Sequence, residues 1–459
     1  MTLTFERPLN PNYAATVIEL GSPTTLANLD NLVGFPVYGL QALTTKDHFA
    51  GELMVAFTAE TQLSEEFARE NNLFRKTELN ADPEADRGYL EENRRVRAIR
   101  LRGEKSSALL LPVSCLTYAG VDPSDLESGM TFDQVNGHEI CRKYVVPVKG
   151  GNANRAAKQA EKVFRQVDER VFPRHVETAN FWRSLNELKH YASELIITQK
   201  LHGTSVRAGN VPVLNPPIEP RFNGLRRSLG LKPKPAVPAT TVWAEDTRFT
   251  VGSKRVIKDE NATQGFYGDV DVFTVVAEEL LAGKIPENYM VYGEIIGWVP
   301  GTDKPIQKGY TYGLPEGRAD LYIYRVATIN RTGQIADLPW DAVKTFCRER
   351  GLKWTPELFR IPARILQERE DREILVFNIE DILDHRFEDA YLRDGLDWAD
   401  KPVPLSDPKS VDEGVCIRQD YGVVPTILKA KSPLFFEYET KQADKGEIDI
   451  ETLESEAAA

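Results

Sequence analysis

Cysteine is scarce in this chain: four residues among 459, at Cys115, Cys141, Cys347 and Cys416. Their scattered positions have neither metal-ligand spacing nor the density of a disulfide framework, so a zinc module and a stapled secreted domain are set aside and free thiols in a reducing cytoplasm are expected. No apolar run approaches the length of a membrane span, and Met1–Pro8 lacks the basic-then-apolar pattern of a signal segment. A cytoplasmic protein that does not engage a membrane is the expectation. Positive charge is also in deficit, with 57 Lys and Arg against 69 Asp and Glu, a net charge of −12. That excludes polyanion binding by overall charge. It leaves open binding by local phosphate contacts, which set affinity for nucleic acids. Acid is concentrated after Lys441 (Asp444, Glu447, Asp449, Glu451, Glu454, Glu456), a stretch read as a disordered tail over 441–459. Internal repeats are missing.

What is present begins with size. A chain of 459 residues that is 41% hydrophobic and 27% charged describes a globular protein too long for one ordinary core, so two domains are expected. The richest stretch follows the apolar run Leu195-Ile196-Ile197. There Gln199-Lys200-Leu201-His202-Gly203-Thr204-Ser205 brings a lysine to a turn of glycine and small hydroxyls. Glycine admits a phosphate close to the backbone, hydroxyls bond its oxygens, and the lysine amine is a candidate nucleophile. Lys429 and Lys431 lie two apart on an apparent strand, Pro425–Lys429, and therefore point to one face, where paired cations would hold a phosphate and stabilise in-line transfer. Glu294 and Glu413 sit in short apolar strands, placed to accept from a ribose hydroxyl or to orient a hydrated magnesium ion.

In chain order the series runs Lys200–Ser205, Val251–Arg255, Val291–Gly297, Asp320–Tyr324, Glu413–Arg418 and Leu428–Ser432. This series resembles the six motifs of the covalent nucleotidyltransferases, the ATP-dependent nucleic-acid ligases and mRNA capping enzymes. Within them it is most similar to the RNA ligases, through His202 and through Pro305–Lys308, which resemble the RNA ligase 2 branch. The resemblance covers about residues 180–440. It implies ATP as substrate, a covalent AMP on Lys200, Mg2+ or Mn2+ as cofactor, and RNA carrying 5′-phosphate and 3′-hydroxyl ends, as in a nicked duplex. It further implies that Lys429 and Lys431 act in catalysis and that Gln199, Leu201, His202, Gly203, Arg255, Glu294, Tyr324 and Glu413 bind the nucleotide. Glu294 would take the ribose, Tyr324 would stack on adenine, Arg255 would contact phosphates and Glu413 would face the metal. Two departures stand out. His202 replaces the aspartate of some relatives and removes a hard anionic contact; Gln199 stands where many carry glutamate, with an amide able to read an adenine edge.

Ahead of these motifs the chain reads as β-rich. Strands are expected at Phe35–Leu40, Leu53–Phe57, Arg94–Leu101, Ala108–Val113 and Arg142–Pro147, with a helix at Leu63–Asn71. This pattern suits an OB-like barrel over 1–150, and it resembles the leading OB domain of the Naegleria-type RNA ligases. Arg97, Arg100 and Arg102, in a run of five arginines over residues 94–102, are candidate nucleic-acid contacts or the cations of a solvated edge strand. A linker helix is expected within 151–180 (Arg155–Val171), then a nucleotidyltransferase domain over 181–440 built on antiparallel sheets, with helices at Val272–Ala282 and Trp340–Arg350. The fold class is α+β. Asn210–Pro238, rich in proline and basic residues, reads as an irregular insertion that either engages phosphates or is inert. The short stretch after Lys441 leaves no room for a C-terminal domain of the DNA ligase or capping type. The reading is a monomeric ATP-dependent RNA ligase, with a DNA ligase, a capping guanylyltransferase and an inactive RNA-repair binding protein as alternatives.

Overall fold

The computed structural model describes residues 5–27, 29–86, 88–147, 167–214, 220–234, 243–258, 270–385, 387, 405 and 410–446. Its architecture is mixed α+β with antiparallel sheets. The principal N-terminal strands are β1 (Ala15–Glu19), β2 (Leu32–Val37), β3 (Leu40–Thr45), β4 (Leu53–Thr58) and β5 (Ala108–Pro112). One antiparallel sheet runs Thr131–Phe132, β1, β4, β5, and a second joins Thr24–Thr25, β2 and β3. Neither closes into a barrel among the described residues. The expected strand at Phe35–Leu40 is in fact a hairpin: Tyr38 and Gly39 both take positive φ (51° and 74°), turning β2 back as β3. Helix α1 (Glu65–Glu70) is capped by Ser64, whose hydroxyl accepts from Phe67 N. The arginine run is a strand only over Ile99–Leu101, and the expected strand at Arg142–Pro147 only over Cys141–Lys143.

Two sheets carry the rest. The first is formed by β6 (Glu194–Lys200), β11 (Glu357–Pro362), β12 (Gly414–Gln419) and β13 (Thr426–Lys431), in the order Ala179–Asn180, β13, β12, β6, β11. The second holds β7 (Thr204–Leu214), β8 (Trp243–Ser253), β9 (Tyr289–Gly297) and β10 (Ala319–Ile329), in the order β8, β7, β9, β10 and then Ile335–Asp337. Because β6 is central and buried from Leu195 to Gln199, it reads as a continuous apolar run, whereas β13 alternates. Leu428 and Ala430 enter the core, and Lys429 and Lys431 face the other way. Helices α4 (Val272–Leu281) and α5 (Trp340–Glu349) cover the second sheet through Val276, Leu281, Trp340 and Val343. Helix α6 (Arg369–Leu383) covers the first through Leu375, Ile379 and Leu383. Helix α7 (Pro433–Asp444) follows β13 directly. It contains the first acid of the expected tail, Asp444; residues 447–459 lie outside the described residues.

Of the linker helix, residues 155–166 lie outside the description and 167–171 form turns. The insertion begins later than expected, since β7 runs to Leu214. Its residues 215–219 and 235–238 lie outside the description, and between them sits the short helix α3 (Asn223–Ser228), the element after α2 (Phe181–Ser184). No helix among the described residues is long and apolar enough to cross a membrane.

Candidate active site

Residues of both sheets line a cavity of about 260 Å³, among them Gln199, Lys200, Leu201, His202, Gly203, Glu294, Tyr324, Glu413, Lys429 and Lys431. Strand β6 ends at Lys200 and β7 starts at Thr204, so the turn between them crosses from one sheet to the other. Gly203 is needed there because a Cβ would stand 2.2 Å from Ile295 O. Glu294 closes the turn: Oε1 accepts from Gly203 N at 3.1 Å and Oε2 from Ser205 Oγ at 3.0 Å. Gln307 donates to Gly203 O at 2.8 Å, which places the Pro305–Lys308 run beside the turn that follows Lys200.

Lys200 Nζ lies 2.6 Å from Glu413 Oε1. Burial pushes this ammonium down, but Glu413 and then Glu294 more than offset it, so the net displacement is upward. Glu413 lies one residue before β12 rather than within it; Gly414 follows because a Cβ there would meet Ala430 O at 2.1 Å. The second oxygen of Glu413 is buried and accepts no hydrogen bond among the described residues; His202 Nδ1 is 3.8 Å away. No group of three metal-ligating side chains occurs among the described residues. A spare buried carboxylate oxygen suits magnesium, which takes one or two carboxylates together with substrate phosphates.

His202 is fixed by its surroundings. Its backbone N donates to Tyr312 OH at 2.8 Å, and Tyr310 and Phe435 meet its ring edge-on at 4.7 and 4.9 Å. The Gln199 amide is occupied by the chain itself, donating to Leu405 O and accepting from Leu405 N. Tyr324 lines the cavity while its hydroxyl meets His175 Nδ1 at 2.6 Å.

The structure leaves four of the sequence candidates outside the cavity. Arg255 sits 3.9 Å from Glu177 Oε1 with its side chain 44% exposed, and its neighbour Lys254 lines the cavity instead. Arg97 and Arg100 pair with α7, through Asp444 (2.9 Å) and Glu437 (2.9 Å). Arg102, 70% exposed, stands 3.8 Å from Asp30.

A match to the RNA ligase family covers residues 193–431, just over half of the 459-residue chain. The chain belongs to this family. Three solved structures of Naegleria gruberi RNA ligase share the fold of this family member. An apo mutant has a TM-score of 0.56 and 16% identity, over 94% of this chain and 100% of that one. The ligase with PPi has a TM-score of 0.54 and 16% identity, over 93% and 98%. A mutant with ATP and Mn has a TM-score of 0.52 and 15% identity, over 94% and 99%. No significant match is found among curated proteins.

Sequence reading missed several lining residues of this ligase-family site, among them Tyr13, Lys143, His175, Lys254 and Glu439. Tyr13, in the 3-10 turn Pro11–Tyr13, and Lys143, at the end of the strand Cys141–Lys143, reach the cavity only through packing of the N-terminal part against the two larger sheets, for which no local pattern exists. Lys254 had a local signal, its place beside Arg255 at the end of β8.

Lys429 makes no ion pair among the described residues. Burial, then Lys431, Lys200 and Lys254, push its ammonium down to about 8. The group is therefore charged below that pH and neutral above it. Affinity for an α,β-methylene ATP analogue, which cannot be turned over, should fall roughly tenfold from about pH 7 to about pH 10, the scale of one charge-assisted hydrogen bond. Calorimetric titration checks this, and Lys429→Ala should flatten the profile.

Proposed function

We propose that this cavity is the ATP site of an RNA ligase acting through a lysyl-AMP intermediate. The observation that carries the reading is the convergence on one cavity of Lys200 from β6, Lys429 and Lys431 from β13, and Glu413 from the residue that leads into β12 between them. Solved relatives with ATP and Mn, and with PPi, support it. In the first step Lys200 Nζ attacks the α-phosphorus of ATP; the N–P bond forms and the bond to pyrophosphate breaks. Glu413 Oε1 is placed to take the ammonium proton. Lys429 and Lys431 hold the α-phosphate oxygens and stabilise charge in the in-line transition state. Glu294 braces the turn, with the ribose as its further partner, and Tyr324 offers its ring to the base. The magnesium or manganese ion suited to Glu413 supplies charge that screens the phosphates and offsets the carboxylate holding Lys200 protonated. Next AMP passes to the 5′-phosphate of RNA; then a 3′-hydroxyl attacks the activated end and expels AMP.

Residues 1–150 are read as an OB-like nucleic-acid-binding domain, 181–440 as the nucleotidyltransferase domain, and a nicked duplex as the substrate of a cytoplasmic monomer. Arg102 is the most exposed of the three candidate arginines and the one placed to meet an RNA backbone. The reading predicts sealing of a nicked RNA duplex with ATP and magnesium. Lys429→Ala and Lys431→Ala should each slow adenylation by about a hundredfold. Gel assays on nicked RNA and nicked DNA, with ATP and GTP in parallel, test it; label transfer from GTP alone would make the protein a capping-type enzyme.

A further inference from the structure

Lys431 reaches the cavity from β13 and donates two hydrogen bonds to a single carboxylate, Glu439, at 2.7 Å to Oε1 and 2.9 Å to Oε2. A lysine has three donors, so one remains for a ligand. The rings of Phe435 and Phe436 lie 5.1 and 5.5 Å from the ammonium. All three partners belong to α7, so one helix fixes where this cation stands.

The same helix is fastened to the N-terminal sheets on either side of Glu439. Arg100 pairs with Glu437 at 2.9 Å, Thr440 Oγ1 donates to Glu60 Oε1 at 3.1 Å, and Arg95 bridges Glu60 (2.6 Å) and Asp444 (3.2 Å). We propose that Glu439 is a positioning residue for the adenylation step, holding Lys431 at the phosphate site and setting its place by the docking of α7 on the N-terminal domain. The proposal rests on reading the cavity as the ATP site.

A comparison within the site supports it. Lys429 and Lys431 share one strand face, and Lys429, without a carboxylate partner among the described residues, is pushed down. Burial pushes Lys431 down too, but Glu439 more than offsets it and the net displacement is upward. The Lys200–Glu413 pair has the same form. Glu439 thus keeps Lys431 charged and in place, whereas Glu413 is placed to take a proton from Lys200.

The test is single-turnover adenylation of full-length wild type, E439Q, E439D, K431A and the K431A/E439Q double variant over a range of ATP concentrations. E439Q should lower the maximal rate by about tenfold to a hundredfold while the half-saturating ATP concentration moves by less than about threefold. E439D should restore most of the rate. In the K431A background E439Q should add nothing, since both changes act through one contact. A wild-type or faster rate in E439Q, or the same loss in both backgrounds, overturns the proposal. The double variant removes both charges together and keeps the comparison valid should E439Q fold poorly. K431A adenylating at the wild-type rate would instead count against the ATP-site reading itself.

Discussion

Lys200→Ala is expected to form no covalent adduct with ATP, yet still to seal RNA whose 5′ end is already adenylated. The two outcomes follow from one chemical fact. Only the first step needs an amine nucleophile; sealing needs a 3′-hydroxyl, a phosphate held by cations and a leaving AMP. Lys200 is the cavity lysine that ends a central strand beside the Gly203 turn and pairs with Glu413 at 2.6 Å, and Lys429, Lys431 and Lys254 remain to hold phosphates in its absence. Rapid-quench assays with labelled ATP and with pre-adenylated RNA measure the two activities separately. An adduct on the variant would move the nucleophile elsewhere. Loss of both activities would mean that Lys200 shapes the phosphate site as well as attacking.

Arg95→Met is expected to lower stability by about 3–5 kcal/mol, the cost of leaving one member of a buried ion pair without its partner. The Arg95 side chain is fully buried; it meets Glu60 at 2.6 Å and Asp444 at 3.2 Å and lies 4.9 Å from the Tyr144 ring centroid. Methionine keeps much of the volume and removes the charge, so the Glu60 carboxylate is stranded. Adding Glu60→Gln should recover part of the loss, because the stranded charge goes too. Urea unfolding of the three proteins measures both numbers. A fall of less than about 0.5 kcal/mol, the range of ordinary surface substitutions, would mean that the clamp between the N-terminal sheets and α7 is not what holds them.

The nucleotide site was legible in the sequence where the chemistry lies on regular strands. Period-two alternation put Lys429 and Lys431 on one face, and the glycine of the Lys200–Ser205 stretch marked a turn with close backbone approach, which Gly203 makes against Ile295. Arg255 lies in the bend after β8, beyond the reach of strand alternation; it is exposed near Glu177 while its neighbour Lys254 lines the cavity. The arginine run was ambiguous for a different reason. Five cations in nine residues have the same composition whether they meet phosphate or carboxylate, and the charged partners of Arg97 and Arg100 lie 347 and 337 residues away in the sequence. Those partners, Glu437 and Asp444, have no local signature either. Asp444 read as charge in an acidic tail and Glu439 gave no signal; their partners, Arg95 and Lys431, appear only where α7 packs between the N-terminal sheets and β13.

The central claim is that Lys200 carries AMP. Intact-mass analysis of the full-length protein incubated with ATP and magnesium, followed by peptide mapping, tests it most directly. The account predicts a gain of one adenylate on the peptide holding Lys200, lost again when nicked RNA is added. A protein that gains no adenylate, or gains it on another lysine, contradicts it.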